Sequence, residues 1–488
     1  MSQTGELDLS PIRAAIAGFP ENPNMRPNDP VELDQVAFPQ GHRGILDLRR
    51  QLVVGNRGMG KTFWTHALTN PDVRRKVAEN YSYPALTKTK AVIGFNGSDK
   101  DVPPTPTRED IKEAHEKGCD PELIWKATIL RAVQWLYQDK ISGANLPSLA
   151  EAIQQLRDKP RMYAEELSRI DDTIARSGEN ENYLLIFDAL DLLHGNWKSI
   201  RTLTKGLLIV VLGLRSFRNI HAKVFIRVDQ FADTEIFHFP DSSKLSNESV
   251  DLAWRPEELY GLLFFELLRE SSAATVLKEL AQRLNAESAL PLSGRLAASP
   301  EKQTLLVNAI AGEFMGSSEK RGRVYTWVPL HLSDAANNCS PRTFLNAWKS
   351  ASEHTPVSPN LAVDFRGLIE GVRKASTDRL RELGEDYPWI SWALAPLQYD
   401  FVPIEKRQLF ASWETSKVVE RILDWVETGG KLAPIGVISE RTPDALLKAM
   451  ISIAVMEDRP NGKINVPDIF RVEAKILRKG GVAVPRKK

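Results

Sequence analysis

The pattern of apolar and polar positions predicts a set of buried parallel strands. Continuous apolar runs without alternation are typical of strands that are covered on both faces. We predict strands of this kind at 52–54, 91–95 and 183–187, and two further strands at 222–229 and 249–254. Helical patterns separate these runs, and strands that alternate with helices indicate an α/β fold class built on a parallel sheet.

A long helical segment separates the second predicted strand from the third. Apolar residues recur at helical spacing through most of the region between 107 and 174. A segment of this length is too long for a simple crossover between neighbouring strands. We therefore predict a helical insertion at the edge of the sheet, at about 105–178.

The rest of the chain is predicted to be mainly helical. Pro256 and the two glutamates after it match the preferred start of a helix, which would lead out of the sheet into a lid. Near the C-terminus, a helix that begins at Thr442 is followed by predicted strands at 463–466 and 480–484 and a helix at 467–477. Helices with a short β-hairpin suit a winged-helix module.

A length of 488 residues suggests two to four domains. The predicted segments are an N-terminal arm at 1–41, an α/β core at 42–270, a helical lid at 271–356, a helical region at 357–440 and a winged-helix-like module at 441–488. The arm is rich in proline, asparagine and acids. It is either a disordered tail or a segment that packs on a neighbouring domain or subunit.

Composition limits the functions that the chain can have. Its 42% apolar and 26% charged residues are ordinary for a soluble globular protein, and a net charge of +1 provides no global attraction to nucleic acid or an anionic membrane. Two cysteines form no disulfide framework, which suits a reducing cytoplasm. The N-terminus lacks the order of a signal peptide, and the most apolar stretch, 206–214, is shorter than the roughly 20 residues of a membrane span. We expect a cytoplasmic protein without membrane contact.

The first apolar run leads into a complete phosphate-binding loop. Residues 55–62 read GNRGMGKT, which has the spacing G-x-x-x-x-G-K-[ST] and precedes a helix-compatible segment. Glycines let the backbone turn tightly and point successive N–H groups at a phosphate, and the helix adds its positive N-terminal end. The candidate nucleotide contacts are Gly55, Asn56, Arg57, Gly58, Met59, Gly60, Lys61, Thr62 and Phe63.

Two residues of this loop carry specific chemistry. Lys61 is expected to reach the β and γ phosphates, and the Thr62 hydroxyl is expected to ligate Mg²⁺. ATP and Mg²⁺ are therefore the predicted cofactors. The alternative is a glycine-rich turn that matches the motif by chance, but the strand before it and the helix after it both agree with the motif.

The third predicted strand ends in an acid. Asp188 follows the apolar run 183–187, which places its carboxylate at the carboxyl end of a parallel sheet, where ligands bind. We expect Asp188 to hold Mg²⁺ through water and Asp191 to orient the attacking water. Taken alone, the same pattern also fits a buried strand that ends in a turn aspartate.

Two arginines are candidates for contact with the γ-phosphate. Arg227 ends a predicted strand and could report the loss of that phosphate, although a surface arginine on an edge strand is the alternative. Arg342 lies at the start of a helix for which Ser340 is the expected N-cap, and it could fold back over the phosphates from the lid. A lid-surface arginine that pairs with an acid is the alternative there. The eight histidines, His194 and His331 among them, show no metal-ligand spacing.

The C-terminal segment carries a basic edge. Its cations are Arg471, Lys475, Arg478, Lys479, Arg486, Lys487 and Lys488. This edge suits contact with DNA phosphates. Winged helices also serve as protein docking modules, and basic tails are often only solvated, so these alternatives stay open.

Four segments of the chain, in their order, resemble the AAA+ and STAND classes of phosphate-loop ATPases. They are GNRGMGKT, LLIFDALD, VFIRVD and SPRTFL. The acid strand is most similar to the NACHT-type STAND form, because the small residue Ala189 follows the Mg²⁺ acid and a second acid, Asp191, lies two positions further on. The resemblance covers about 41–353 and extends more weakly to a winged helix of the origin-recognition type. It implies a sensor-1 role for Arg227 and a sensor-2 role for Arg342.

The resemblance implies an ATP-dependent switch or scaffold that forms homo-oligomers or holds other protein subunits. AAA+ hydrolases have an acid where Ala189 stands, so we expect slow or partner-stimulated ATP hydrolysis. Bacterial members of this broad class often belong to antiviral defence systems in which another chain carries the effector, and this sequence contains no nuclease, protease, TIR-like or deaminase motif. One alternative is a DNA-binding AAA+ ATPase that acts through its winged helix, and another is a nucleotide kept only as a structural ligand.

Overall fold

A computed structural model of the protein describes residues 7–20, 36–138, 146–296, 299–428, 433–434, 436–479 and 482–484. The described residues form two compact units. The first, called the sheet unit, lies within Met25–Leu252, and the second, called the helical unit, combines residues within Met1–Asn24 and within Ala253–Lys488. The chain leaves the sheet unit after Leu252, whereas we predicted the end of the core at residue 270. The finer five-part division stays a prediction.

Five parallel strands form the centre of the sheet unit. They are β1 (Leu52–Val54), β2 (Thr89–Phe95), β3 (Asn182–Phe187), β4 (Ile220–Ile226) and β5 (Val250–Asp251), in the spatial order β2-β3-β4-β1-β5. All residues of β1 are buried, and so are those of β3 after its first residue, as expected for a sheet that is covered on both faces. The predicted α/β class with a parallel sheet is confirmed.

Helices cover both the sheet and its insertion. The helices of the sheet unit are α2 (Lys61–Thr69), α3 (Pro71–Asn80), α4 (Arg108–Glu116), α5 (Pro121–Gln138), α6 (Leu149–Asp158), α7 (Met162–Ser177), α8 (Trp197–Gly213), α9 (Val228–Ala232) and α10 (Ser242–Asn247). The insertion predicted at about 105–178 contains α4 to α7. Its longest helix, α5, packs against β2, β3 and α8, and Trp125 on α5 donates a hydrogen bond to the Leu203 carbonyl of α8 at 2.8 Å. These contacts attach the insertion to the sheet.

The strand predicted at 222–229 is shorter than expected at its carboxyl end. It stops at Ile226, and Val228 already belongs to α9. Arg227 is the N-cap of this helix, and its backbone N–H donates to the Gln230 side chain at 3.1 Å. Because a side chain satisfies this N–H group, the chain can turn into a helix directly at the edge of the sheet. Asp229 is therefore a helical residue.

The helical unit begins with part of the predicted N-terminal arm. Residues Ser10–Ala17 form α1, in which Ile12 and Ile16 are fully buried. Arg13 donates a hydrogen bond to the carbonyl oxygen of His354 at 2.7 Å. This part of the arm packs within the helical unit, while residues 1–6 and 21–35 lie outside the described residues.

Twelve further helices and five short strands are described in the helical unit. The helices are α11 (Pro256–Arg269), α12 (Ser271–Arg283), α13 (Pro300–Ala311), α14 (Val324–Leu332), α15 (Pro341–Glu353), α16 (Phe365–Asp386), α17 (Trp389–Leu394), α18 (Lys406–Thr415), α19 (Val418–Glu427), α20 (Val437–Glu440), α21 (Pro443–Ser452) and α22 (Asp468–Arg471). The strands are β6 (Phe401–Val402), β7 (Ile404–Glu405), β8 (Glu457–Asp458), β9 (Lys463–Asn465) and β10 (Leu477–Arg478). Helices α15 and α16 pack closely, since a Cβ at Gly371 would lie 2.2 Å from the Ala347 carbonyl oxygen.

The C-terminal strands are arranged differently from the prediction. Strands β7, β9 and β8 form an antiparallel sheet in that order, with α18 to α21 between β7 and β8 in sequence. The helix predicted at 467–477 is only the short α22. The last described strand is β10, which pairs in parallel with β6, whereas we predicted a strand at 480–484, of which 480–481 lie outside the described residues.

The basic edge is also smaller than predicted. Arg471 is fully buried, and its Nε donates to the Asp468 carboxylate at 2.6 Å. Lys475 and Lys479 are exposed, and Arg478 is partly exposed. The three C-terminal cations at 486–488 lie outside the described residues. Contact with DNA stays a prediction.

Candidate nucleotide-binding site

The sequence motif at 55–62 has the strand, loop and helix context that it requires. Strand β1 leads into the loop, and α2 begins directly after Gly60. Gly58 and Gly60 have φ angles of 78° and 105°, in the left-handed region that glycine adopts without strain. Gly55 is needed for another reason, because a Cβ there would lie 2.9 Å from the Leu252 Cβ. A Cβ at Gly60 would meet no atom within 4 Å, so it would project into open space.

The N-terminus of α2 is free to receive an anion. No side chain in the described part of the chain caps it, so the N–H groups of its first turn have no side-chain acceptor. These groups also carry the positive end of the helix dipole. Together with the glycine loop, this helix start has the form of a phosphate-binding site.

Lys61 lies over the loop from which it starts. Its Nζ donates to the carbonyl oxygens of Gly55 at 2.7 Å and of Asn56 at 3.1 Å. Burial lowers the pKa of Lys61 to about 8, and the nearby charge of Asp188 acts in the opposite direction. A bound phosphate would favour the charged amine, because an opposite charge at short distance raises the pKa of a lysine.

Asp188 follows the last residue of β3 and lies at the carboxyl end of the sheet. Its side chain accepts hydrogen bonds from the Ala189 N–H at 2.8 Å and from the Thr65 hydroxyl at 3.2 Å. Burial raises the pKa of this carboxyl group, and Lys61 and the two hydrogen bonds lower it. The structure brings Asp188 and the loop lysine into one electrostatic environment, and the roles predicted for them stay predictions.

The residues predicted to hold Mg²⁺ provide the right kind of donor. Asp188 offers a buried carboxylate, and Thr62 offers an exposed hydroxyl in the first turn of α2. Mg²⁺ prefers oxygen ligands and is usually held by one or two carboxylates together with waters and substrate phosphates. Within the described ranges, no group of three or more His, Cys, Asp or Glu residues could hold a metal.

A strained residue links the two acids of the predicted motif. Ala189 has a φ angle of 56°, which is unusual for a residue with a side chain. It is followed by the 3₁₀ turn Leu190–Leu192, which carries Asp191. Conformations of this kind persist only where the surrounding structure enforces them, and they are frequent at functional sites.

Arg227 connects Asp191 to the centre of the sheet. It follows β4, which lies between β3 and β1, so the alternative of an edge strand is wrong. Its NH1 lies 3.3 Å from the Asp191 carboxylate, and its Nε lies 3.1 Å from the Asp229 carboxylate. The Arg227 residue is 8% exposed, so this arginine is buried between two acids.

The remaining predicted nucleotide contacts occupy different environments. Asn56 and Arg57 are partly exposed, and Met59 is buried. The Phe63 ring packs edge to face on Trp64, with the ring centroids 5.4 Å apart. Met59 and Phe63 therefore also serve to pack the loop and α2, and contact with a nucleotide stays a prediction for all four loop residues.

Sequence reasoning missed two residues of this site. Thr65 lies four positions after Lys61, so α2 places both side chains on the same side of the helix. The phosphate-loop motif ends at Thr62 and therefore does not include Thr65. Asp229 lies in the strand predicted at 222–229. On a strand, side chains two positions apart share one face, so this prediction places Asp229 beside Arg227 but does not indicate that the two side chains bond. In the structure Asp229 belongs to α9. Its side chain is 9% exposed, and its carboxylate accepts a hydrogen bond from Arg227.

Arg342 belongs to the helical unit. Ser340 caps α15 as predicted, and its hydroxyl accepts a hydrogen bond from the Thr343 N–H at 3.1 Å. The Arg342 guanidinium lies 3.6 Å from the Glu382 carboxylate of α16. This ion pair agrees with the alternative of an arginine that pairs with an acid, and the sensor role of Arg342 stays a prediction.

Both histidines considered in the sequence have ordinary partners. His194 lies 3.3 Å from the Glu116 carboxylate, and His331 lies 3.6 Å from the Asp468 carboxylate. Each of these side chains is 11% exposed. Placement in the protein interior accounts for both.

The parallel sheet and the glycine-rich loop before α2 together have the form of a phosphate-loop site. No family model and no curated protein matches this chain. Among solved structures, the chain is similar to the Aeropyrum pernix ORC2 protein in ADPNP–ADP complexes, with 12% identity, a TM-score of 0.28 and coverage of 92% of both chains. Identity and TM-score are both too low to transfer the ligands of that protein. Within the described residues, no helix is long and apolar enough to cross a bilayer.

Proposed function

We propose that the protein binds ATP with Mg²⁺ at the loop 55–62 and hydrolyses it slowly, as a nucleotide-dependent switch or scaffold. The observation that carries this proposal is the combination of the left-handed Gly60, the uncapped start of α2 and Lys61 at the carboxyl end of a parallel sheet. Backbone N–H groups, a helix N-terminus and a lysine at one place are suited to a triphosphate.

Each charged residue then has a role in the proposed reaction. Lys61 would contact the β and γ phosphates, and Thr62 and Asp188 would hold Mg²⁺, which supplies charge neutralisation to the phosphates. Asp191 would orient the attacking water. Arg227 would contact the γ-phosphate and respond to its loss.

Slow hydrolysis is supported by the state of Asp191. Its carboxylate is engaged by Arg227 at 3.3 Å, so it must leave this ion pair before it can orient a water molecule. Ala189 provides no second carboxylate next to Asp188. A partner or trigger that separates Asp191 from Arg227 would raise the rate.

The proposed biological context rests on the resemblance to STAND and AAA+ ATPases. We propose a cytoplasmic subunit of a multi-protein assembly, either a homo-oligomer or a complex with subunits that carry effector activity, in bacterial antiviral defence. The ion pair between the buried Arg227 and the partly exposed Asp191 supports a switch, since a nucleotide that competes for Arg227 would select between a paired and a separated arrangement.

The substitution Asp191→Asn tests the proposed function. It should leave ATP binding intact and stop hydrolysis, so the purified variant should retain ATP where the wild type contains ADP. Bound nucleotide is measured by chromatography after denaturation. Asp241→Asn is the matched control, because Asp241 is an exposed acid that pairs with Lys244 at 2.8 Å in the same unit. Equal rates of ATP hydrolysis in wild type and Asp191→Asn would contradict the proposed role of Asp191. Bound nucleotide without hydrolysis in either protein would favour a structural nucleotide.

A second candidate function is DNA binding through the C-terminal region. It is supported by the helices and antiparallel sheet from β7 to β9 and by the exposed Lys479. Lys479→Glu tests it cleanly, whereas Arg478→Glu would place an acid next to the buried Asp468, which Arg478 contacts at 3.3 Å. Salt-sensitive DNA affinity that falls in Lys479→Glu would favour this function. Absence of DNA binding at low salt would exclude it.

A further inference from the structure

Arg227 is held by two carboxylates that the fold fixes to different degrees. Asp229 belongs to α9, the helix that Arg227 itself caps, and its side chain is 9% exposed. Asp191 lies on a three-residue 3₁₀ turn after the strained Ala189, and its side chain is 24% exposed. A ligand that enters from solvent can therefore displace Asp191, while Asp229 keeps its place.

The two contacts use different parts of the guanidinium. Nε donates to Asp229 at 3.1 Å, and NH1 donates to Asp191 at 3.3 Å. A guanidinium is planar and its five N–H groups have fixed relative directions. A carboxylate that fixes the Nε–H direction therefore also fixes the plane of the terminal NH₂ groups. Asp229 does this independently of what NH1 contacts.

Arg227 and its two acids belong to the electrostatic environment of the loop lysine. Burial lowers the pKa of Lys61 to about 8, and the charges of Asp188, Arg227, Asp191 and Asp229 act on this pKa as well. Charge interactions weaken with distance. Arg227 and its two acids therefore act electrostatically on the lysine that is proposed to contact the β and γ phosphates.

We propose that Asp229 is a positioning residue for ATP hydrolysis, which holds the Arg227 guanidinium in the orientation that a γ-phosphate requires. Arg227 exchanges the Asp191 carboxylate for the phosphate, and Asp191 becomes free to orient the attacking water. Asp229 remains bonded to Nε throughout and does not touch the nucleotide. This inference rests on the proposed function.

A structural role for Asp229 makes different predictions. An acid in the first turn of α9 interacts favourably with the helix dipole, and the removal of one partner from a buried ion pair lowers stability. If this were the whole role, a substitution would lower the melting temperature and leave the kcat of the folded protein unchanged. A positioning role lowers kcat and leaves nucleotide affinity unchanged.

The test is Asp229→Asn, which keeps the shape and a hydrogen-bond acceptor but removes the charge. We expect kcat for ATP to fall about tenfold or more, as for other residues that orient a functional group, with unchanged Kd for ADP. Asp233→Asn is the matched control, because Asp233 is a buried acid at the C-cap of the same helix and pairs with Arg201 at 2.7 Å. It should lower the melting temperature and keep kcat.

A double-mutant cycle shows whether Asp229 acts through the arginine. In an Arg227→Ala background, Asp229→Asn should reduce kcat little further, because no guanidinium remains to be oriented. Equal fractional losses of kcat in both backgrounds would overturn the proposal. If Asp229→Asn does not fold, Asp229→Glu replaces it, since it keeps the charge and displaces the carboxylate. Unchanged kcat in Asp229→Glu would then overturn the proposal.

The outcomes separate this inference from the proposed function. A wild-type protein that binds no nucleotide contradicts both. A wild-type protein that hydrolyses ATP, with Asp229→Asn equally active, contradicts only the positioning role of Asp229. A wild-type protein that hydrolyses ATP, with Asp229→Asn impaired in kcat but not in ADP affinity, supports both.

Discussion

The Thr65 hydroxyl donates a hydrogen bond to the Asp188 carboxylate at 3.2 Å, across 123 positions of sequence. This contact joins the helix after the phosphate loop to the strand that ends in the predicted Mg²⁺ acid. It provides a donor to one oxygen of the buried Asp188 carboxylate. A hydrogen bond of this kind stabilises the charged form of the carboxylate. This hydrogen bond therefore joins the two halves of the candidate site.

Removal of this hydrogen bond should shift the pH dependence of hydrolysis. Burial raises the pKa of Asp188 and the Thr65 hydroxyl lowers it, so Thr65→Val should raise this pKa further. Ionised Asp188 would then appear only at higher pH, and the acidic limb of the pH profile of kcat/KM should move to higher pH. Thr69→Val is the control, because the Thr69 hydroxyl donates to the backbone carbonyls of Thr65 at 2.8 Å and His66 at 3.2 Å. An unmoved acidic limb in Thr65→Val would contradict the role of Thr65.

Two glycines of the loop should fail in different ways when replaced by alanine. Gly55→Ala would place a Cβ 2.9 Å from the Leu252 side chain and should lower the melting temperature. Gly60→Ala would strain a residue at φ 105° at a cost of about 1 to 2 kcal/mol and would point its Cβ into the open space of the loop. We therefore expect Gly60→Ala to lose ATP affinity more severely than its change in melting temperature explains. Thermal unfolding and ATP titration of both variants check this, and retained affinity in Gly60→Ala would show that phosphate does not bind there.

Lys223 should give the protein a distinct dependence of stability on pH. It is fully buried on β4, and its Nζ donates to the Asp47 carbonyl at 2.7 Å. Burial lowers its pKa to about 7, whereas an unfolded lysine has a pKa of about 10.4. Between these values the unfolded chain binds a proton that the folded chain does not, so the free energy of unfolding rises with pH, by at most about 1.4 kcal/mol per pH unit.

Lys223→Met should remove this contribution. We expect the stability of the wild type to increase relative to the variant between pH 7 and pH 9.5, as measured by urea unfolding at both pH values. Lys244→Met is the control, because Lys244 is an exposed lysine that pairs with Asp241. A parallel pH dependence in wild type and Lys223→Met would show that Lys223 stays charged in the folded protein.

The sequence predicts the sheet and the loop well because their patterns are local. Residues 52–54 and 183–187 are continuous apolar runs, and the spacing of glycine, lysine and threonine between 55 and 62 is enough to identify the loop. The position of Arg227 at the end of a strand was also predicted. These features depend on burial and on backbone geometry at a few neighbouring positions.

Other parts of the site depend on contacts that have no local signal. The helix that begins at Val228 is only five residues long and too short to show a period, so Asp229 was assigned to a strand. The partner of Thr65 lies far away in sequence. Arg471 was assigned to a basic edge, because a sequence does not show that its guanidinium is buried beside Asp468. Burial of a charged side chain is decided by its partner in space.

The central claim is that ATP binds at the phosphate loop, and a calorimetric titration of MgATP into wild type and Lys61→Ala tests it most directly. Lys61 is partly buried and donates to two loop carbonyls, so its removal should leave the nucleotide-free melting temperature within a few degrees of the wild type. Lys112→Ala, at a lysine that pairs with Glu109 at 3.0 Å on the insertion, is the control. We expect saturable binding of one ATP per chain in wild type and Lys112→Ala, and none in Lys61→Ala. Undiminished binding in Lys61→Ala, or no binding to the wild type, would contradict this claim.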